Sequence, residues 1–272
     1  MPTTSTNKIE EIFRDPPAAG ANRLILYLTA GDPSLEATGE LLNAIDQGGA
    51  DLIELGVPFS DPMADGVVIQ HASERALKGG TTLSKILDHL PQWRESVRAP
   101  MILFSYYNPI LQYGLERFAG DLAGADGQGA LVVDLPPEEA APYVGAMRAQ
   151  KLDTVFLASP TSTDDRLKRI ANLSSGFLYL ISRSGVTGEQ ANLSAMVLPL
   201  IERVRKFTKL PLAVGFGLSN PEQVRQVQSL ADAAVVGSAL VRAIEERYKR
   251  EGGQGIERFV RWLKSGTGSK LE

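Results

Sequence analysis

Of the four carboxylates in one stretch, GADLIELGVPFSDPMADGVVIQ (Gly49–Gln70), Asp51 precedes an apolar run and the other three, Glu54, Asp61 and Asp65, fall within or after it. Their settings differ. Glu54 interrupts Leu52, Ile53 and Leu55, a run that predicts a parallel strand buried on both faces. An unpaired charge is unfavourable there, so Glu54 either caps or pairs locally or serves as a proton-transfer group at a strand end. Asp61 and Asp65 lie in a loop rich in proline and glycine, where an aspartate shapes a turn, accepts a hydrogen bond from a ligand or helps hold a cation.

Few other residue types compete for this chemistry. The chain has no cysteine, which removes thiolate nucleophiles, thiolate metal sites and disulfides. Its two histidines, His71 and His89, fall in predicted helices and read as surface or packing residues. A three-histidine zinc site is therefore excluded, while magnesium held by Asp61 and Asp65 stays open. No lysine stands at a predicted strand end, which argues against a Schiff-base aldolase.

The elements that position these groups follow from hydrophobic periodicity. A short helix over Lys8–Arg14 precedes strands at Leu24–Thr29, Leu52–Leu55, Met101–Ser105, Ala130–Val133, Thr154–Leu157, Leu178–Ile181, Leu212–Gly215 and Ala233–Val236. Helices are expected at about Leu35–Gln47, Val68–Lys78, Leu83–Glu95, Pro137–Gln150, Thr163–Ala171, Ser194–Phe207 and Pro221–Gln228, with two more finishing the chain. Gly49-Ala50-Asp51, Gly124-Ala125-Asp126 and Leu230-Ala231-Asp232 each end a helical pattern before an apolar strand. Alternation of this length predicts an α/β chain, a single (β/α)8 TIM barrel with an extra N-terminal helix and additional helices, rather than a doubly wound sheet. No linker divides it, so residues 1–272 read as one domain with a barrel core over about 22–250.

Composition narrows the class. With 272 residues, 43% hydrophobic, 22% charged and a net charge of −4, the chain is ordinary globular material without a basic footprint for nucleic acid. No apolar run nears the roughly 20 residues that span a bilayer, the N-terminus lacks a signal-peptide core, and a cytoplasmic location is expected. In a barrel the chemistry sits at the C-terminal strand ends. Gly188, Gly217, Gly237 and Ser238 fall there after the last three strands, where backbone amides and a helix start bind phosphate. Each glycine alone also fits a tight turn.

Longer motifs carry a family resemblance. LTAGDPSLE (Leu28–Glu36), the Gly49–Gly66 stretch, YYNPIL (Tyr106–Leu111), DLPPEE (Asp134–Glu139), SRSGVTG (Ser182–Gly188) and VGFG (Val214–Gly217) together resemble the tryptophan synthase α subunit, from about residue 22 to 250. The resemblance implies reversible retro-aldol cleavage of indole-3-glycerol phosphate to indole and glyceraldehyde 3-phosphate, a carbon–carbon lyase step of tryptophan biosynthesis. It implies no metal or organic cofactor in this chain and a β subunit carrying pyridoxal phosphate, in an α2β2 assembly. It places the catalytic roles on Glu54 and Asp65, puts Tyr27, Phe104 and Leu131 around the indole, sets Tyr179 beside Glu54, and has Thr187 order Asp65. Leu26, Val67 and Val133 depart from the proline frequent in the family; all three flank the site without supplying a reacting group.

Asp61, Pro62, Asn108 and Pro136 follow strands two to four and are expected to meet the β subunit at the active rim. A free-standing lyase, another phosphate-binding barrel such as a sugar-phosphate isomerase or aldolase, and a non-catalytic subunit are the alternatives. Intact Glu54 and Asp65 speak against the last.

Overall fold

The computed structural model describes residues 8–14, 23–181, 193–215 and 217–266. Its elements run α1 (Lys8–Arg14), β1 (Leu24–Thr29), α2 (Leu35–Gly48), β2 (Leu52–Gly56), α3 (Val67–Lys78), α4 (Leu83–Arg94) and β3 (Met101–Ser105). Next come α5 (Tyr107–Tyr113), α6 (Leu115–Gly124), β4 (Gly129–Val132), α7 (Ala141–Ala149), β5 (Asp153–Val155), β6 (Leu157–Ala158), α8 (Asp164–Leu173) and β7 (Leu178–Ile181). The chain continues through α9 (Leu193–Arg205), β8 (Leu212–Gly215), α10 (Pro221–Gln228), β9 (Ala233–Val236) and α11 (Ser238–Ser265).

All strand pairs are parallel, in the order β5-β4-β3-β2-β1-β9-β8-β7-β6. The fifth predicted strand is split: β5 pairs with β4, β6 pairs with β7, and buried Phe156 joins them, so one bent segment closes the barrel. The strands are buried on both faces because each face meets a different core. On β1, Leu24, Leu26 and Leu28 pack outward under the helices, while Ile25 packs inward with Leu52, Ile102, Leu131, Val155 and Ala213. That division turns alternation into two apolar layers and explains the unbroken hydrophobic runs.

The added N-terminal helix is part of the barrel floor. Ile9 of α1 is fully buried in the inner cluster, Phe13 lies 6.2 Å from Phe177, and Arg23 Nε donates to Ile12 O at 2.8 Å. Lys8 completes the attachment with an ion pair to Asp126. These partners all precede strands, so α1 seals the end opposite the chemistry.

The structure redraws several connections. The expected Pro137–Gln150 helix begins only at Ala141, because the preceding residues make a turn closed by Glu139 N–H to Pro136 O at 3.0 Å. Tyr107–Tyr113 is helical although it contains Pro109; that proline falls in the first turn, where no intrahelical N–H bond is required. The two closing helices join without a loop: α11 breaks at Gly252, at φ 58° and ψ −157°, and Glu40 Oε1 accepts the Gly253 N–H there at 2.7 Å. Among the described residues no helix is long and apolar enough to cross a membrane.

Candidate active site

β2 carries Glu54 in register between Tyr27 of β1 and Ile102 of β3. The carboxyl faces a cavity of about 150 Å³ at the C-terminal end of the barrel. Glu54 is 1% exposed, and its Oε1 has no hydrogen-bond partner among the described residues. Burial raises its pKa from the ordinary 4.5 to about 8, so the group is largely protonated at neutral pH.

Two tyrosines flank it, and two glycines make room for them. A Cβ on Gly56 would lie 2.3 Å from the Tyr27 hydroxyl, and one on Gly215 would lie 2.2 Å from that of Tyr179. Tyr27 packs edge-on against Phe104 at 5.1 Å, with its hydroxyl 3.2 Å from Thr29 Oγ1. Burial holds both phenols well above their usual range, and the Glu54 charge pushes each the same way. Tyr27, Phe104 and Tyr179 thus form an aromatic wall around a buried carboxyl that rests neutral.

Much of the remaining lining is backbone. Gly217, at φ 66°, faces open space, and Gly237 is the N-cap of α11 with no side-chain cap. Ser238, the first residue of α11, completes this edge of the cavity. An uncapped helix start beside exposed glycine backbone offers unpaired N–H groups and a favourable dipole end to an anion. Ile69 and Val235 supply the remaining apolar lining, which sequence patterning did not single out.

Asp65 sits apart from this wall. It is half-buried on the β2–α3 connection, where its N–H donates to Pro62 O at 3.1 Å and Gln70 Nε2 donates to its carbonyl at 2.8 Å. Burial pushes its carboxyl up to about 6, opposed by a hydrogen bond from the Tyr106 hydroxyl. The Asp65 charge also raises Tyr27, so the aspartate stands at the rim on the Tyr27 side of the cavity. Asp61 points elsewhere: it is exposed, and Ser60 Oγ donates to it at 2.6 Å. Among the described residues no three His, Cys, Asp or Glu side chains cluster as metal ligands.

Leu131 is fully buried in the inner barrel cluster, in register with Phe104, whose ring lines the cavity. Thr187 and Gly188 lie outside the described residues. At the rim, Asn108 is exposed, and Pro62 and Pro136 are partly so. Near them stand exposed apolar side chains without any sequence signal of their own: Met63 at 93%, Val67 at 63% and Leu111 at 49%.

The family model of the tryptophan synthase alpha chain matches residues 13–265. The chain belongs to the tryptophan synthase alpha chain family. A tryptophan synthase alpha chain from Solibacter usitatus is 54% identical over 248 residues, covering 91% of this chain and 93% of the relative. One from Geotalea uraniireducens is 46% identical over 261 residues, covering 96% and 98%. The crystal structure of tryptophan synthase subunit alpha from Legionella pneumophila superposes with a TM-score of 0.88 at 36% identity, covering 96% of this chain and 98% of that one. Family membership and the barrel agree with the sequence reading: this is the α component of tryptophan biosynthesis, a lyase acting on indole-3-glycerol phosphate.

Proposed function

We propose that Glu54 is the acid–base group and Asp65 the charge-stabilising group for cleavage of indole-3-glycerol phosphate in this chain. The observation that carries this reading is a buried, unpartnered carboxyl facing a cavity whose other edge is an uncapped helix start. Protonated Glu54 gives its proton to the indole ring carbon that bears the glyceryl chain. The resulting carboxylate takes the proton of the adjacent hydroxyl; the carbon–carbon bond then breaks, its electron pair returns to the ring, and the hydroxyl carbon becomes the aldehyde. Positive charge builds on the indole nitrogen meanwhile, and ionised Asp65 stabilises it by accepting the N–H hydrogen bond. Because Asp65 stands at the rim, its loop must move toward the ring for this contact.

The aromatic wall fits the indole ring, and Gly217, Gly237 and Ser238, joined by Gly188, fit the phosphate, while family likeness assigns Thr187 to ordering Asp65. Pyridoxal phosphate belongs, on this reading, to the β subunit, and the chain itself takes no cofactor. The β subunit docks where Asp61, Pro62, Asn108 and Pro136 meet exposed Met63, Val67 and Leu111, in an α2β2 assembly. A cytoplasmic, single-domain protein completes the proposal. The test is indole release from indole-3-glycerol phosphate, with and without a β subunit, by wild type and Glu54→Gln. Wild-type release with a 10²–10⁴-fold loss in the variant, the range typical of general acid–base removal, supports the assignment; substantial turnover by the variant removes Glu54 from the reaction.

A further inference from the structure

The loop that carries Asp65 is fastened to one neighbouring side chain. Tyr106 follows β3, is 4% exposed and is absent from the cavity wall. Its ring lies 5.1 Å from that of Phe59, near the start of the loop, and Val57 N–H donates to Phe104 O at 2.8 Å just before it. Its hydroxyl works twice at the far end: it accepts the Ala64 N–H at 2.9 Å and donates to Asp65 Oδ2 at 3.1 Å. A phenol has one proton to give, and here it goes to the carboxylate while a lone pair holds the preceding residue's backbone. The Tyr106 backbone is itself held, since buried Ser105 Oγ donates to its carbonyl at 2.9 Å.

We propose that Tyr106 is a positioning residue for Asp65: its ring seats the loop through Phe59, and its hydroxyl sets the orientation of the Asp65 carboxylate. This deepens, and rests on, the role given to Asp65 above. A hydrogen bond donated to a carboxylate also favours its charged form, against the burial that raises it. The titratable groups around Asp65 are Tyr106 from the β3–α5 junction, Tyr27 from β1, Asp61 on the loop itself, and Asp134 after β4, whose charge acts on Tyr106. Among the described residues none of these is a cation, and the Tyr106 hydroxyl is the side-chain donor to the Asp65 carboxylate.

Tyr106→Phe keeps the ring and removes the hydroxyl. Measured on the full chain with a β subunit, indole release should fall about tenfold in kcat, the scale of one hydrogen bond to a charged group. Its acid limb should move to higher pH, while KM and inhibition by a glycerol-phosphate analogue stay unchanged. In an Asp65→Asn background the same substitution should add no further loss, which tests the coupling independently of any general effect on folding. A wild-type acid limb in Tyr106→Phe, with or without a lower rate, overturns the proposal, as do additive losses in the double variant. If Asp65→Asn itself turns over normally, the role of Asp65 fails first; if it is inactive while Tyr106→Phe matches wild type, the Tyr106 assignment alone falls.

Discussion

Replacing Glu54 with glutamine should stabilise the fold while abolishing the reaction, and the stabilisation should depend on pH in a defined way. The carboxyl titrates near 4.5 when unfolded and at about 8 when folded, because burial disfavours its charge. Below pH 4.5 both states bind the proton and the group is neutral in its effect. Between those values the folded state holds a proton that the unfolded state has released, so stability falls as pH rises, and it levels off above pH 8. At about 1.36 kcal/mol per pH unit, the penalty grows to about 3 kcal/mol at pH 7 and about 5 kcal/mol above pH 8. Glutamine has the same shape and no charge to desolvate. Glu54→Gln should therefore match wild type near pH 5 and exceed it by about 3 kcal/mol at pH 7, which corresponds to roughly 6–12 °C in Tm for a chain of this size. Urea unfolding of both proteins from pH 5 to 9 is the assay. Parallel stability curves with a constant offset would refute the argument, because they would mean that Glu54 titrates alike in both states.

The same two carboxyls set a pH–rate profile. Activity should rise as Asp65 ionises near pH 6 and fall as Glu54 loses its proton near pH 8; a flat kcat/KM between pH 5 and 9 contradicts the assigned roles. At the proposed phosphate edge, Gly237→Ala should fold, since its Cβ meets Tyr27 Cβ at an ordinary 3.5 Å, yet it should raise KM and weaken inhibition by glycerol-phosphate analogues. Unchanged inhibition in Gly237→Ala and Gly217→Ala together moves the anion elsewhere. At the rim, Met63→Asp, Asn108→Asp and Pro136→Asp should weaken association with a β subunit in a calorimetric titration, and identical affinity in all three places the interface on another surface.

The parts of this fold legible in the sequence are those governed by neighbours along the chain. β1, β3 and β7–β9 stand where apolar runs put them, because a strand buried on both faces needs every residue apolar and a helix does not. Glu54 was visible for the same reason: one carboxylate in an aliphatic run has no solvent to turn toward. What patterning could not reach depends on depth or distance. Leu131 shares the inner barrel face with the cavity residues and stands in register with Phe104, and period-two alternation carries no information about which residues of that face line a cavity. Tyr106 meets Asp65 across 41 positions, so nothing local announces the contact. Pro109 marks a breaker in any sequence reading, yet a first-turn proline leaves α5 intact. Met63, between two aspartates and two helix-poor stretches, reads as filler until its 93% exposure shows an apolar side chain left in water at the rim.

The division of labour between strand and loop follows from what each step demands. Proton transfer needs its donor within hydrogen-bond reach of a defined atom, so the acid belongs on the stiffest element available. β2 is that element: it is paired on both sides and packed on both faces, and Gly56 keeps its surface open to Tyr27. Charge stabilisation of the ring nitrogen can be supplied by a group that arrives after the substrate, so Asp65 can ride on a loop that must also admit a bulky indole. Moving Glu54 to the loop would let solvent reach it and return its pKa toward 4.5, leaving too little of the acid at neutral pH. Burying Asp65 in the strand would raise it further and leave it uncharged, where the role proposed for it requires charge. The separation of about 6 and about 8 therefore follows from the two addresses in the barrel.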